Sequence, residues 1–120
     1  MFNEPALNGF SKSIYEDRQN KLYNIERTVT TLCFPLSNTL DKFLSSGQRI
    51  DFLSVDVEGL DLQVLASNDW NKYRPKVVLA EVLGASLNTI KQDPVYKYLT
   101  NQGYILFSKL IHTCIFKIDE

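Results

Sequence analysis

The sequence predicts an α/β domain: a parallel sheet that ends in an antiparallel hairpin, with helices on both faces. Two nearly continuous apolar stretches, Asp51–Val57 and Lys76–Leu83, show little polar alternation and read as strands covered on both sides, as in a parallel sheet. The helix-like segment between them completes one right-handed βαβ unit. Two last strands, Tyr104–Ser108 and Thr113–Ile118, are joined too tightly for a crossover and should pair antiparallel.

Taken in order, residues 1–20 carry Pro5, Gly9, three asparagines and two serines with scattered apolar positions. They read as loop, with a turn of helix near Ser13–Arg18. From Leu22 to Phe34 the β-branched and aromatic content rises, and Thr28-Val29-Thr30-Thr31-Leu32 suggests an extended strand that Pro35 terminates. Asn38, Asp41, Leu40, Phe43 and Leu44 give a short capped helix that Gly47 closes in a left-handed conformation. After the strand Asp51–Val57 comes Gly59, then Leu60, Leu62, Val64 and Leu65 on a helix packed back on the sheet, with Asp61 near its positive start. Pro75 opens the next strand, in which Glu81 is the polar exception. The helix Asp93–Gln102 has the clearest signals: Asp93 caps it, Pro94 suits its first position, Val95, Tyr98 and Leu99 face the core, and Gly103 stops it. The order is loop, β, α, β, α, β, α, β, β.

Residues 1–120 form one domain, long enough to bury roughly two thirds of the surface of the unfolded chain. Hydrophobic residues make up 44% and charged residues 22%, the usage of ordinary globular domains. Thirteen basic residues face fourteen acidic ones, interspersed, so no basic stripe supplies the electrostatics of nucleic-acid binding. No apolar run approaches the roughly 20 residues that span a bilayer, and the amino terminus has no signal-peptide pattern; a cytoplasmic protein is expected. Cys33 and Cys114 sit in apolar, strand-like surroundings without metal spacing and read as small buried thiols. His112, the sole histidine, reads as a half-exposed sheet residue.

Chemistry concentrates where the strand Asp51–Val57 runs into two carboxylates and a glycine. Asp56 and Glu58 are two positions apart, so on extended backbone both side chains leave one face, roughly 6 to 7 Å apart. Carboxylates so placed can share a cation, or one can accept a proton from a substrate hydroxyl while the other orients it. Gly59 lets the chain turn sharply and brings the next helix close to whatever binds. Glu81, near the end of the neighbouring strand, falls on the same rim, where open α/β sheets hold their ligands. The segment Glu4–Phe10 can fold over that rim and present Asn8. The five glycines, at 9, 47, 59, 84 and 103, never fall as G-x-G, so no dinucleotide fingerprint or phosphate loop is built from them.

These features together resemble the FkbM family of S-adenosylmethionine-dependent methyltransferases. The resemblance rests on Val55-Asp56-Val57-Glu58-Gly59 with Leu62 and Leu65, on Arg74-Pro75-Lys76-Val77-Val78 with Glu81, on Thr39-Leu40-Asp41, and on Gly103-Tyr104 with Ile115-Phe116. It covers about Asn8 to Phe116. It implies a partial Rossmann-like methyltransferase sheet in which only the carboxyl half is present, since neither the glycine loop nor the ribose-gripping acid of the family is found. By the same resemblance Asp56 and Glu58 stand beside the methyl group and the acceptor pocket, with Asn8, Gly59 and Glu81 on the acceptor side. It further implies O-methylation of a sugar or natural-product hydroxyl, S-adenosyl-L-methionine as cofactor of the complete fold, and none held by this chain alone. Partners are then the small hydroxyl acceptor and the missing amino half, or further copies of the chain. Two other readings stand beside it: a non-catalytic remnant that associates through Phe52–Val57 as an open sheet edge, and a divalent-metal site at Asp56, Glu58 and Glu81 serving hydrolysis or phosphoryl transfer.

Overall fold

The computed structural model describes Gly9 and residues 27–119. Its elements are α1 (Leu36–Phe43), β1 (Phe52–Val55), α2 (Asp61–Ala66), β2 (Val77–Glu81), α3 (Pro94–Asn101), β3 (Tyr104–Lys109) and β4 (Thr113–Ile118), with a 3₁₀ turn at Ile90–Gln92. The four strands lie in the order β1-β2-β4-β3. β1 and β2 run parallel, with Val55 opposite Ala80. The hairpin β3–β4 inserts β4 against β2, antiparallel, so that Glu81 faces Thr113.

One face of this sheet carries the core. Val55, Val78, Ala80, Cys114, Phe116 and Tyr104 are buried there with Leu65 of α2 and with Val95 and Leu99 of α3. Trp70, just past α2, stacks edge-on against Tyr104 at 5.5 Å between ring centroids and donates its indole N–H to Leu65 O at 2.9 Å. Both the ring contact and the bond keep a large aromatic inside without stranding its polar atom. Among the described residues the opposite face is open: Phe52 is 67% exposed and Phe107 65%. Helices on both faces were expected, yet among the described residues α2 and α3 cover one face only, and β1 shows the alternation of a half-covered strand.

α3 forms as its sequence dictates. Asp93 Oδ1 accepts from Val95 N at 2.8 Å and Tyr96 N at 3.4 Å, and Pro94 occupies the first position, where no N–H is needed. α1 differs from expectation: it starts at Leu36 behind Pro35, no side chain caps it, and it ends at Phe43 with Leu44 as its C-cap. Gly47, at φ 74°, belongs to a separate turn in which Gln48 N donates to Ser45 O. α1 is fastened instead by Asp41, whose carboxylate accepts from Lys72 Nζ at 2.6 Å and from the Tyr73 hydroxyl. Both bonds hold the Asp41 carboxyl below the ordinary aspartate range.

The predicted strand Leu22–Phe34 is not formed where it can be followed. Residues 27–34 carry no regular secondary structure and are exposed, and residues 22–26 lie outside the described set. Cys33, expected to be buried, is exposed for the same reason, whereas Cys114 is buried in β4 and burial raises its thiol pKa. His112 sits exposed in the turn between β3 and β4 rather than within a strand. The helical turn near Ser13–Arg18 lies outside the described residues.

Candidate functional site

β1 and β2 both end at one rim of the sheet, and the polar residues that interrupt their apolar runs collect there. β1 stops at Val55, two residues earlier than its sequence suggests. Asp56 follows it and is exposed. The chain then turns: Glu58 has φ 53° and Gly59 φ 92°, and Leu60 N donates to Val57 O at 3.3 Å. Two successive positive φ values closed by such a bond are the pattern of a type I′ turn, a conformation costing about 1–2 kcal/mol at a residue with a side chain. The expectation that Asp56 and Glu58 leave one face of an extended strand is therefore corrected. Gly59 does make the sharp turn it was expected to make.

Glu81 closes β2 one residue beyond Ala80, the partner of Val55. It points away from the helix-covered face, because the buried residues Val78, Ala80 and Val82 alternate with it. One of its carboxylate oxygens, Oε2, is buried without a hydrogen-bond partner. Burial first, and then the charges of Glu58, Asp56 and Asp61, push the Glu81 carboxyl above the ordinary glutamate range, against a smaller opposite pull from His112. Asp56 and Glu58 thus both lie within electrostatic reach of Glu81. Asn8 lies outside the described residues.

A fourth acid, Asp61, is the rim residue that sequence reasoning passed over as a helix-start charge. It is 3% exposed. Its Oδ1 accepts from Val57 N at 3.3 Å and its Oδ2 from Glu81 N at 2.8 Å, so one carboxylate spans the exit of β1 and the end of β2. Burial is the largest influence on its pKa and raises it, the two bonds oppose that rise, Asp56 and Glu58 add to it, and the net shift is upward. An acid at the first turn of an otherwise apolar helix was the available signal.

Beside the rim, at the hairpin turn, lies an open hollow of about 600 Å³ lined by Leu87, Lys109, Leu110, Ile111, His112 and Thr113. None of the rim acids lines it. It adjoins them through Thr113, the partner of Glu81, and through His112 O, which accepts from Val82 N at 2.8 Å. Among the described residues no set of three His, Cys, Asp or Glu side chains is grouped to hold a metal ion, so the acids do not form the cation cage that one reading of the sequence required. Among the same residues no helix is long and apolar enough to cross a membrane.

Fold and rim define a mixed α/β domain whose parallel strands deliver carboxylates to one edge of the sheet. The chain matches the model of the methyltransferase FkbM domain over residues 2–106 and belongs to that family. No curated protein and no solved structure matches it. The family uses S-adenosylmethionine in general. A Cβ added at Gly47 or Gly84 would meet nothing within 4 Å, and one at Gly103 would meet the Arg74 guanidinium at 3.3 Å. These glycines serve turns in this chain, with no G-x-G loop to bring backbone N–H groups against a ligand.

Proposed function

We propose that this chain supplies the acceptor side of an S-adenosylmethionine-dependent O-methyltransferase of the FkbM family, acting on a hydroxyl of a sugar or natural product. What supports the reading is the rim itself: Asp56 and Glu58 follow β1, Glu81 ends the parallel β2, both of those charges act on Glu81, and one Glu81 oxygen is buried with no partner. Like charges gathered this way cost stability, which is reasonable at a site that works on protons. Asp56, exposed at the end of β1, takes the proton of the acceptor hydroxyl. Glu58 orients that hydroxyl from the turn, and Gly59 keeps the turn narrow enough for a ligand to approach. Glu81 lies behind them, and Asn8 belongs to the same side by family resemblance. Cofactor binding is assigned to a glycine-bearing half that this sequence does not contain, and the protein is placed in the cytoplasm.

The test is transfer of labelled methyl from S-adenosylmethionine to a panel of sugar and polyketide hydroxyls, by the protein as produced in its own cells. Asp56→Asn should lower transfer about 10²- to 10⁴-fold with the melting temperature unchanged. Equal turnover would remove Asp56 from the role. Calorimetry of the isolated chain with micromolar S-adenosylmethionine should show no heat; clear binding would overturn the division into two halves.

A second reading has its own support. β1 is an outermost strand among the described residues, and Phe52 on it, like Leu32 and Phe34 before it, is exposed. Such an edge can pair with another copy or another chain. Sedimentation across a hundredfold concentration range separates the two, since a strict monomer contradicts assembly through β1.

A further inference from the structure

The acids proposed to work on the acceptor sit on two separate pieces of backbone, the turn after β1 and the end of β2. Their relative placement needs something that joins those pieces. Strand pairing does not do it, because the last β1–β2 pair is Val55 with Ala80 and the turn begins beyond it. One side chain reaches both segments. Asp61 is buried, and its two oxygens accept from Val57 N at 3.3 Å and Glu81 N at 2.8 Å.

We infer that Asp61 is a positioning residue, a carboxylate clamp that fixes the Glu58 turn against the Glu81 end of β2. The inference rests on the acceptor-side reading of the rim and deepens it. The chemistry of the clamp requires an aspartate. An ionised carboxylate has acceptors on both oxygens and no donor, so it satisfies two N–H groups at once. An asparagine puts an N–H₂ where one acceptor stood and faces donor against donor. A glutamate keeps both acceptors on a longer stem.

The clamp also answers to protons. When Asp61 is protonated, one of its oxygens carries a hydrogen and becomes a donor, and one of the two backbone N–H groups loses its full partner. The ionisable groups that act on this environment are Asp56, Glu58 and Glu81, with His112 acting on Glu81 from the hairpin turn. Two amides 24 positions apart in sequence should therefore report one titration, that of Asp61.

The experiment is a ¹⁵N NMR titration of the whole chain from pH 8 to pH 3. The Val57 and Glu81 amide resonances are expected to shift with a common midpoint that lies above that of an ordinary aspartate. In Asp61→Asn this shared step should vanish, and exchange of those two amides with solvent should quicken about tenfold while Val78 and Phe116 stay protected. Asp61→Glu should restore part of the protection. Glu81→Gln should leave the shared step in place, which separates Asp61 from Glu81 as its source. Different midpoints for the two amides, no titration of either, or a uniform loss of protection across the sheet would each overturn the clamp. The wild-type titration decides the matter even if Asp61→Asn does not fold. Absence of methyl transfer, by contrast, would sink the acceptor-side reading and leave the titration untouched.

Discussion

The two ends of β2 are built on opposite terms. At its start, before Val77, polar groups are matched: the buried Tyr104 hydroxyl donates to Pro75 O at 2.6 Å, and the exposed Arg74 lies over the Tyr104 ring at 5.4 Å while its guanidinium donates to Gln102 O at 2.8 Å. At its finish, three other acids act electrostatically on Glu81, one oxygen of that glutamate has no partner, and Glu58 takes a left-handed backbone. The first end holds the domain together. The second keeps groups in states that relaxation would remove, and in a folded protein such residues gather where chemistry is done.

The largest expected break in this contrast comes from the settled side. Phe116 is fully buried in β4 between the sheet and α3, within 6.3 Å of the Tyr96 ring. Phe116→Ala should cost about 3–5 kcal/mol, read as a lowered denaturant midpoint. A loss below about 1 kcal/mol would show that this core is not continuous. Next in size is Tyr104→Phe, which leaves the Pro75 carbonyl buried without its donor and should cost about 1–3 kcal/mol. Burial has pushed the Tyr104 hydroxyl pKa up to about 12, so it stays a donor throughout the physiological range.

Legibility in the sequence divides along the same line. α3 and the hairpin could be read because their signals are local: Asp93 caps the helix that Pro94 begins, and β3 and β4 are close in sequence. The turn at Gly59 and the acids at 56, 58 and 81 stood out because polar residues interrupt apolar runs. Residues 27–34 misled because β-branched residues favour a strand only where another strand pairs with them, and none does so among the described residues. The single covered face was invisible for a related reason: a short apolar run does not say how many layers lie over it. Asp61 stayed hidden because its role depends on Glu81 N, 20 positions away, a contact that no local pattern announces.

Smaller effects come from the strained end, and they carry the opposite sign. Asp61 and Glu81 both bind protons more tightly in the folded chain than in the unfolded one. Their contribution to stability is fully present below their ordinary pKa values of 3.8 and 4.5 and is lost as pH rises through the elevated folded values. Asp41 has the reverse shift, so its contribution is kept above the ordinary value of 3.8 and disappears only at lower pH. The melting temperature should therefore rise as the pH falls from neutral toward the ordinary carboxyl values of 3.8 and 4.5. Glu81→Gln should flatten that rise and add about 0.5 kcal/mol at pH 7 by removing one of the like charges. A melting temperature that falls steadily on acidification in that window, or a variant less stable than the parent at pH 7, would show that the rim is a paired structural cluster.

The finest test separates backbone from side chain at Glu58. Its φ of 53° lies where a side chain is penalised and glycine is not, and Gly59 beside it already occupies the same region. Glu58→Gly removes the steric penalty of the turn, adds disorder to the unfolded chain, and gives up whatever the glutamate side chain touches. These changes oppose one another, so stability should stay within about 1 kcal/mol of the parent. Methyl transfer should nevertheless fall at least tenfold, because the group that orients the acceptor is gone while the turn remains. If transfer persists in a variant that folds as well as the parent, the left-handed glutamate serves only the turn, and the strain at this end of β2 has a structural origin. If transfer is lost while the Val57 and Glu81 amides keep their protection, the turn survives without its carboxylate, and the strain is the cost of holding Glu58 at the rim.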